Sequence, residues 1–381
     1  MEWSFLAAFS SKERTPLTDM PKSGKRLGLK DKLLLMAVSS AIGLIIAVPV
    51  AEIVLRSNLR SDYARYVEGF NTGTNTLYSI VPGSPLCYRI RPSSSFVWST
   101  HPDGSPLITY RNDAGGFRRN SPEADDVDPE RAHVRKRVIH LGDSFTYGWD
   151  VQDHETFAAQ LEKKVQDLES LNFGVIGYNT VQQEALLREI LPKYSPDLVV
   201  LNFYINDANP PSPGMVRIDP DRLFRDSTLW IWEEAKDQAN SIWEMFIGGR
   251  PFPESRKIRP LEGPEDFVGN NLLAREAKEA FFGIGRLCVD AGVPLLVVIH
   301  PLVHDKDFTN GNYGQKIVHN AVKEWSREMN TRCVDMRDHL LRLEDPKSMI
   351  LENDGHYNPE GHVFVAEVLS PVIEEMLKSA E

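Results

Sequence analysis

Arg137-Val138-Ile139-His140-Leu141-Gly142-Asp143-Ser144-Phe145-Thr146-Tyr147-Gly148 is the stretch that decides the fold. A short apolar run, Val138–Leu141, stops at a glycine, and small polar residues follow before a helical pattern begins near Glu155. A brief apolar run without polar alternation is how a strand buried on both faces reads. Its ending in Gly142-Asp143-Ser144 sets a hydroxyl at the carboxyl end of that strand.

The rhythm repeats downstream. The helical pattern runs over about 155–168, and Leu171–Gly174 is a second apolar run. A helix near Val181–Ile190 leads to a third strand, Asp197–Phe203. After an interruption come a helix at about 272–291, a strand at Pro294–Ile299, a helix at about 315–329, a strand around Cys333–Met336 and a last helix at about 359–379. Continuous apolar strands alternating with helices predict an α/β domain over 137–381, with a mainly parallel sheet covered on both faces. Ligands of such sheets bind beyond the carboxyl ends of the strands.

Outward from this domain the character changes. Residues 57–130 are rich in Ser, Pro, Gly and Arg; Leu107–Arg111 reads as a strand and residues 112–116 as a turn, so 57–136 is expected to be a small β-containing preamble with a charged surface linker over 121–136. Residues 33–51, LLLMAVSSAIGLIIAVPVA, carry no charge. A helix of that length rises about 28 Å, close to a bilayer core of about 30 Å. Lys22, Lys25, Arg26, Lys30 and Lys32 precede it, more basic groups than Arg56, Arg60 and Arg65 behind it. The expectation is a cytoplasmic basic tail over 1–32, a single-pass anchor over 33–55 in the cell (inner) membrane, and an extracytoplasmic domain, periplasmic if the cell is Gram-negative. A cleaved signal peptide is the rival reading, but its apolar stretch is usually shorter, and Pro49 stands where cleavage after Ala51 wants a small residue. A core helix would show a polar face, and only Ser39 and Ser40 interrupt the run.

Composition narrows the function. The chain has 381 residues, 43 Lys+Arg against 54 Asp+Glu and a net charge of -11, which argues against a nucleic-acid partner. Cys87, Cys288 and Cys333 are too few and too scattered for a disulfide framework or a zinc site. No paired-histidine helix motif is present, so no metal and no cofactor are implied.

The strand ends carry the chemistry. Gly142-Asp143-Ser144 follows the first strand, Gly177 the second and Asn206-Asp207 the third, while Asp354-Gly355-His356 precedes the last helix. A serine hydroxyl is a weak nucleophile and needs a base within hydrogen-bond reach. A histidine can take its proton, and a carboxylate can fix the histidine tautomer. The N–H of Ser144, the N–H of Gly177 and the side-chain amide of Asn206 are candidate donors to an oxyanion. Each residue has a blander reading: Ser144 as a helix N-cap, Gly177 and Asn206 as turn residues, His356 as a surface histidine, Asp354 as a cap for the final helix.

These blocks resemble the SGNH hydrolases, the GDSL family of esterases and lipases. Gly142-Asp143-Ser144 is similar to the first block, Gly177 to the second, Asn206 to the third and His356 to the fifth, in order over roughly residues 137–379. The resemblance implies a three-layer α/β/α sandwich with a flavodoxin-like five-stranded sheet. It implies a serine hydrolase acting on ester bonds, with Ser144 as nucleophile and His356 as base. The preamble, with Gly115-Gly116-Phe117-Arg118, is similar to membrane-anchored bacterial members. One departure stands out. The family places its aspartate three residues before the histidine, where this chain has Asn353; Asp354 stands two before, a spacing that resembles branches acting on polysaccharide acetyl groups. Asp354 is the expected triad carboxylate, with Asn353 the alternative.

The expected function is hydrolysis, or transfer, of acyl groups from O-acetyl glycans or lipid esters outside the cytoplasm. The alternative is a non-catalytic binding or assembly factor on the same fold, which competent residues at the triad positions disfavour. Residues 209–270 interrupt the strand–helix rhythm directly after Asn206. They carry Trp230, Trp232, Trp243 and Phe246, with Leu229–Phe246 expected as an amphipathic helix that either packs as an insert or caps the site.

Overall fold

A computed structural model gives the fold and describes residues 28–73, 76–100, 106–130, 135–209, 267, 271–352 and 354–379. Asn353 and nearly all of the 209–270 stretch, with Trp230, Trp232, Trp243 and Phe246, lie outside the described residues. The chain divides into two units, Met1–Val54 and Leu55–Glu381.

In the first unit, the described residues from Leu29 onward belong to helix α1 (Leu29–Thr72). Among the described residues α1 is the one helix long and apolar enough to cross a membrane, by length and composition. Its apolar side chains there, Leu33, Ile42 and Ile45 among them, stand exposed.

In the second unit α1 runs on from Leu55 to Thr72, so residues 57–72 are helical where composition suggested a β-containing stretch. The cause is a short amphipathic stripe. Tyr63, Tyr66, Val67 and Phe70, at helical spacing, pack against the hydrophobic core. The β structure starts later. Strands β1 (Tyr78–Ile80) and β2 (Tyr88–Ile90) form one antiparallel pair, and β3 (Ser95–Thr100) and β4 (Pro106–Arg111) another. Val97 pairs with Thr109 and Ser99 with Ile108, so Trp98 is the extra residue of a bulge on β3.

The main sheet has five strands: β5 (Lys136–Gly142), β6 (Leu168–Gly174), β7 (Leu198–Phe203), β8 (Leu295–Ile299) and β9 (Arg332–Asp335). All pairings are parallel and the order is β6-β5-β7-β8-β9. This is the doubly wound arrangement whose switch point flanks the first strand. Alternate side chains feed two cores. Val138, Leu198, Val200, Leu296 and Val298 enter one, and Ile139, Leu141, Val199, Leu201, Phe203, Val297 and Ile299 the other. Both faces of each strand are therefore dry, which is why these strands read as unbroken apolar runs.

The helices are α2 (Ser144–Tyr147), α3 (Phe157–Lys164), α4 (Thr180–Tyr194), α5 (Leu272–Ala291), α6 (Lys316–Glu328), α7 (Met336–Leu340) and α8 (Pro359–Ser379). Helices α3 and α8 cover one face, while α4 and α5 cover the other. Helix α3 stops at Lys164, short of the expected 168. Asp167 adopts a left-handed φ of 56°, and Leu168 already belongs to β6, buried in the core.

One buried charge ties the preamble to the sheet domain. Arg118 and Asp153 are both fully buried and paired at 3.2 Å. The Arg118 guanidinium also donates to the carbonyls of Tyr147 (2.9 Å), Val151 (2.6 Å) and Gly148, closing on the loop that follows α2. The rings of Tyr110 and Tyr147 flank it, 4.4 and 4.9 Å from its central carbon.

Candidate active site

Ser144 opens α2 directly beyond the end of β5. Asp143 caps that helix, its carboxylate accepting from the Phe145 N–H at 2.9 Å. The Asp143 carboxyl is wholly buried, and burial pushes it above the usual carboxylate range. The Phe145 N–H, the His356 ring and the Asn206 amide oppose that rise. Asp143 thus holds the turn, and its second oxygen lies 3.5 Å from Ser144 Oγ.

His356 Nε2 lies 2.7 Å from Ser144 Oγ, although the two residues are separated by 212 positions in the chain. On the other side of the ring, Nδ1 is hydrogen-bonded to Asp354 Oδ1. An ionised carboxylate only accepts, so Nδ1 carries the proton and Nε2 is left to accept from the serine hydroxyl. Burial works against the charge on Asp354. The hydrogen bond and charge of His356 and the N–H of Trp149 outweigh it and hold the carboxyl below its ordinary range. Between the two residues Gly355 takes a φ of 87°, and a side chain there would run into the His304 ring. Phe145 packs at 4.6 Å, ring centre to ring centre, on one side of His356.

The three candidate oxyanion donors come from three strand ends. Ser144 contributes the first N–H of α2, which no intrahelical acceptor can reach. Gly177 follows β6 with a φ of 79°, a conformation that favours glycine. Among the described residues neither the Ser144 nor the Gly177 N–H donates to a protein acceptor. Asn206 lies in the single turn Ile205–Ala208 beyond β7, and its Oδ1 is buried with no hydrogen-bond partner among the described residues. Next to it the Asp207 carboxyl is fully buried and pushed well up by burial and by the charge of Asp143.

His300 and His362 are buried and hydrogen-bonded to groups other than Ser144, His356 and Asp354. His300 is buried between Tyr357 Oη at 3.2 Å and Asn202 Oδ1 at 3.1 Å. His362 accepts the Phe157 N–H through Nδ1 at 3.1 Å. Burial lowers both to about 3, so both are neutral near pH 7. Among the described residues no group of His, Cys, Asp and Glu is arranged to hold a metal ion.

Sequence reasoning missed Trp149 and gave Arg118 no structural role. The Trp149 Nε1–H donates to Asp354 Oδ2 at 2.9 Å, and its ring stacks on His356 at 5.6 Å. The available signal was local: an aromatic residue just past the glycine that ends α2.

A model of the GDSL-like lipase/acylhydrolase family matches residues 140–364. No curated protein matches the chain. Similar solved structures include an acetyl xylan esterase, AlAXEase (15% identity, 62% of this chain and 99% of that one, TM-score 0.40). The lipase/acylhydrolase from Enterococcus faecalis is another (14% identity, 63% of this chain and 96% of that one, TM-score 0.39). A third is the psychrotrophic esterase EstA from Pseudoalteromonas sp. (14% identity, 64% of this chain and 99% of that one, TM-score 0.37).

Proposed function

The chain belongs to the GDSL-like lipase/acylhydrolase family and is a serine ester hydrolase; from that premise we propose that Ser144, His356 and Asp354 are its catalytic triad. The observation that carries this reading is the 2.7 Å contact between Ser144 Oγ and His356 Nε2, with Asp354 on the opposite ring nitrogen. Ser144 Oγ attacks the ester carbonyl as Nε2 takes the hydroxyl proton. The tetrahedral oxyanion is met by the N–H groups of Ser144 and Gly177 and by the Asn206 amide. His356 then passes the proton to the departing alkoxide, which leaves as the alcohol while the acyl group stays on Ser144 Oγ. Water, deprotonated by His356, attacks the acyl carbon, and the proton returns to Ser144 Oγ as the acid departs. A sugar hydroxyl in place of water would make the same site an acyltransferase.

The substrates are acyl esters outside the cytoplasm, O-acetyl groups on glycans or lipid esters. Supporting that location are the apolar segment 33–51 within α1 and the larger basic cluster ahead of it, which together argue for a single-pass inner-membrane anchor with residues 1–32 in the cytoplasm.

One labelling experiment tests chemistry and location together. A fluorophosphonate probe applied to fractionated cells should label the full-length chain in the membrane fraction. Ser144→Ala should lose both the label and ester hydrolysis, with turnover down about 10³-fold or more. Undiminished turnover by folded Ser144→Ala overturns the serine mechanism, and a shortened, labelled soluble form overturns the anchor.

A further inference from the structure

Asp354 is an exposed choice for a triad carboxylate. Its side chain is 36% exposed, and it sits in a tight turn only two residues before His356. A carboxylate so placed can rotate toward water and release the imidazole. What faces its second oxygen is Trp149. The indole N–H donates to Asp354 Oδ2 at 2.9 Å while Oδ1 serves His356 Nδ1, so the two oxygens are held from opposite sides.

Trp149 is itself fixed at every point. Its backbone N–H donates to the Ser144 carbonyl at 3.1 Å, tying it to the nucleophile's own residue. Its ring lies parallel to His356 within 26°. Trp98 closes on it edge-on, with ring centres 4.3 Å apart. The bulge on β3 makes Trp98 the unpaired residue of that strand, and the Trp98 Nε1–H is anchored to Asp150 Oδ1 at 3.0 Å. Bulges commonly serve to re-aim one side chain beside an active site.

We infer that Trp149 is a positioning residue of the catalytic triad, its indole N–H holding the Asp354 carboxylate in the rotamer that orients His356. The inference rests on the triad reading above. It also accounts for the short Asp-x-His spacing: a carboxylate one residue nearer the histidine than the family's usual position is steadied from outside the turn. Partners that orient a functional group typically matter by 10- to 100-fold, and small misplacements of reacting groups are costly.

The test is a double-mutant cycle on the full chain with p-nitrophenyl acetate. Two changes remove the N–H: Trp149→Phe, and replacement of Trp149 by benzothienylalanine, which keeps the shape of the indole. Each should lower kcat about tenfold and leave KM within about twofold. In an Asp354→Ala background the same changes should cost less than about twofold, because there is no carboxylate left to hold. Equal losses in both backgrounds, a loss confined to KM, or full activity with benzothienylalanine would overturn the inference. An Asp354→Ala enzyme with parental kcat would overturn the triad reading itself, and the inference with it.

Discussion

Replacing Arg118 with methionine should destabilise the Leu55–Glu381 unit and slow the enzyme, although Arg118 makes no contact with Ser144, His356 or Asp354. The side chain is fully buried, as is its partner Asp153. Removing one member of a buried ion pair typically costs about 3–5 kcal/mol, because the other charge is left behind. Asp153 keeps a second cation, Arg111, at 3.0 Å, so the lower end applies. The carbonyls of Gly148 and Val151 also lose the donors that hold them. A loss of about 3 kcal/mol, set against an unfolding entropy of about 2.1 cal/mol/K for each residue of a unit this size, lowers Tm by about 4 °C. The loop it releases carries Trp149, so kcat should fall while KM holds. Calorimetry and initial rates on the full chain read both. Arg118→Lys should recover little, since one ammonium cannot reach the carboxylate and three carbonyls that the planar fork spans. A Tm within about 1 °C of the parent for Arg118→Met would refute the claim that this buried pair seats the loop.

Asn206→Ala should lower kcat by about 10²–10³-fold with little change in KM, because its amide is proposed to meet charge that exists only past the ground state; a change in KM alone would make it a substrate-binding residue. Acid stability follows from His140, His300 and His362, whose folded values are lowered by burial to about 3. Unfolded, each titrates near 6.5, so their contribution is full above about pH 6.5 and is lost as pH falls toward about 3, at up to about 1.4 kcal/mol per pH unit for each histidine. Denaturant melts between pH 7 and 5 read that slope, and a flat profile would show that these rings are open to water.

The sheet was legible in the sequence because burial on both faces strips polar residues from its strands, and that mark survives in Val138–Leu141 and Leu295–Ile299. The helical residues 57–72 were not, since Tyr63, Tyr66, Val67 and Phe70 are diluted among serines and charges that composition reads as loop. At the site, residues placed at strand ends were legible, because the topology of a parallel sheet gathers those ends at one edge. Trp149 and Arg118 were not, because their meaning lies in partners elsewhere in the chain, 205 positions away for the bond from Trp149 to Asp354. The Asp354 carboxylate faces His356 Nδ1 in the structure, with its role in the triad a proposal, and the aromatic stretch 209–270 lies almost wholly outside the described residues.

The 212 positions between Ser144 and His356 also order events in time. A chain synthesised from its N-terminus makes β5, the Ser144 turn and the Asn206 turn long before α8 leaves the ribosome. The Asp354-Gly355-His356 turn, held by Trp149 and Phe145, is among the last parts of the site to be synthesised. On the triad proposed above, a nascent chain carries Ser144 without its base over most of its growth. With the proposed triad, chains truncated before His356 lack the base and should not turn over esters.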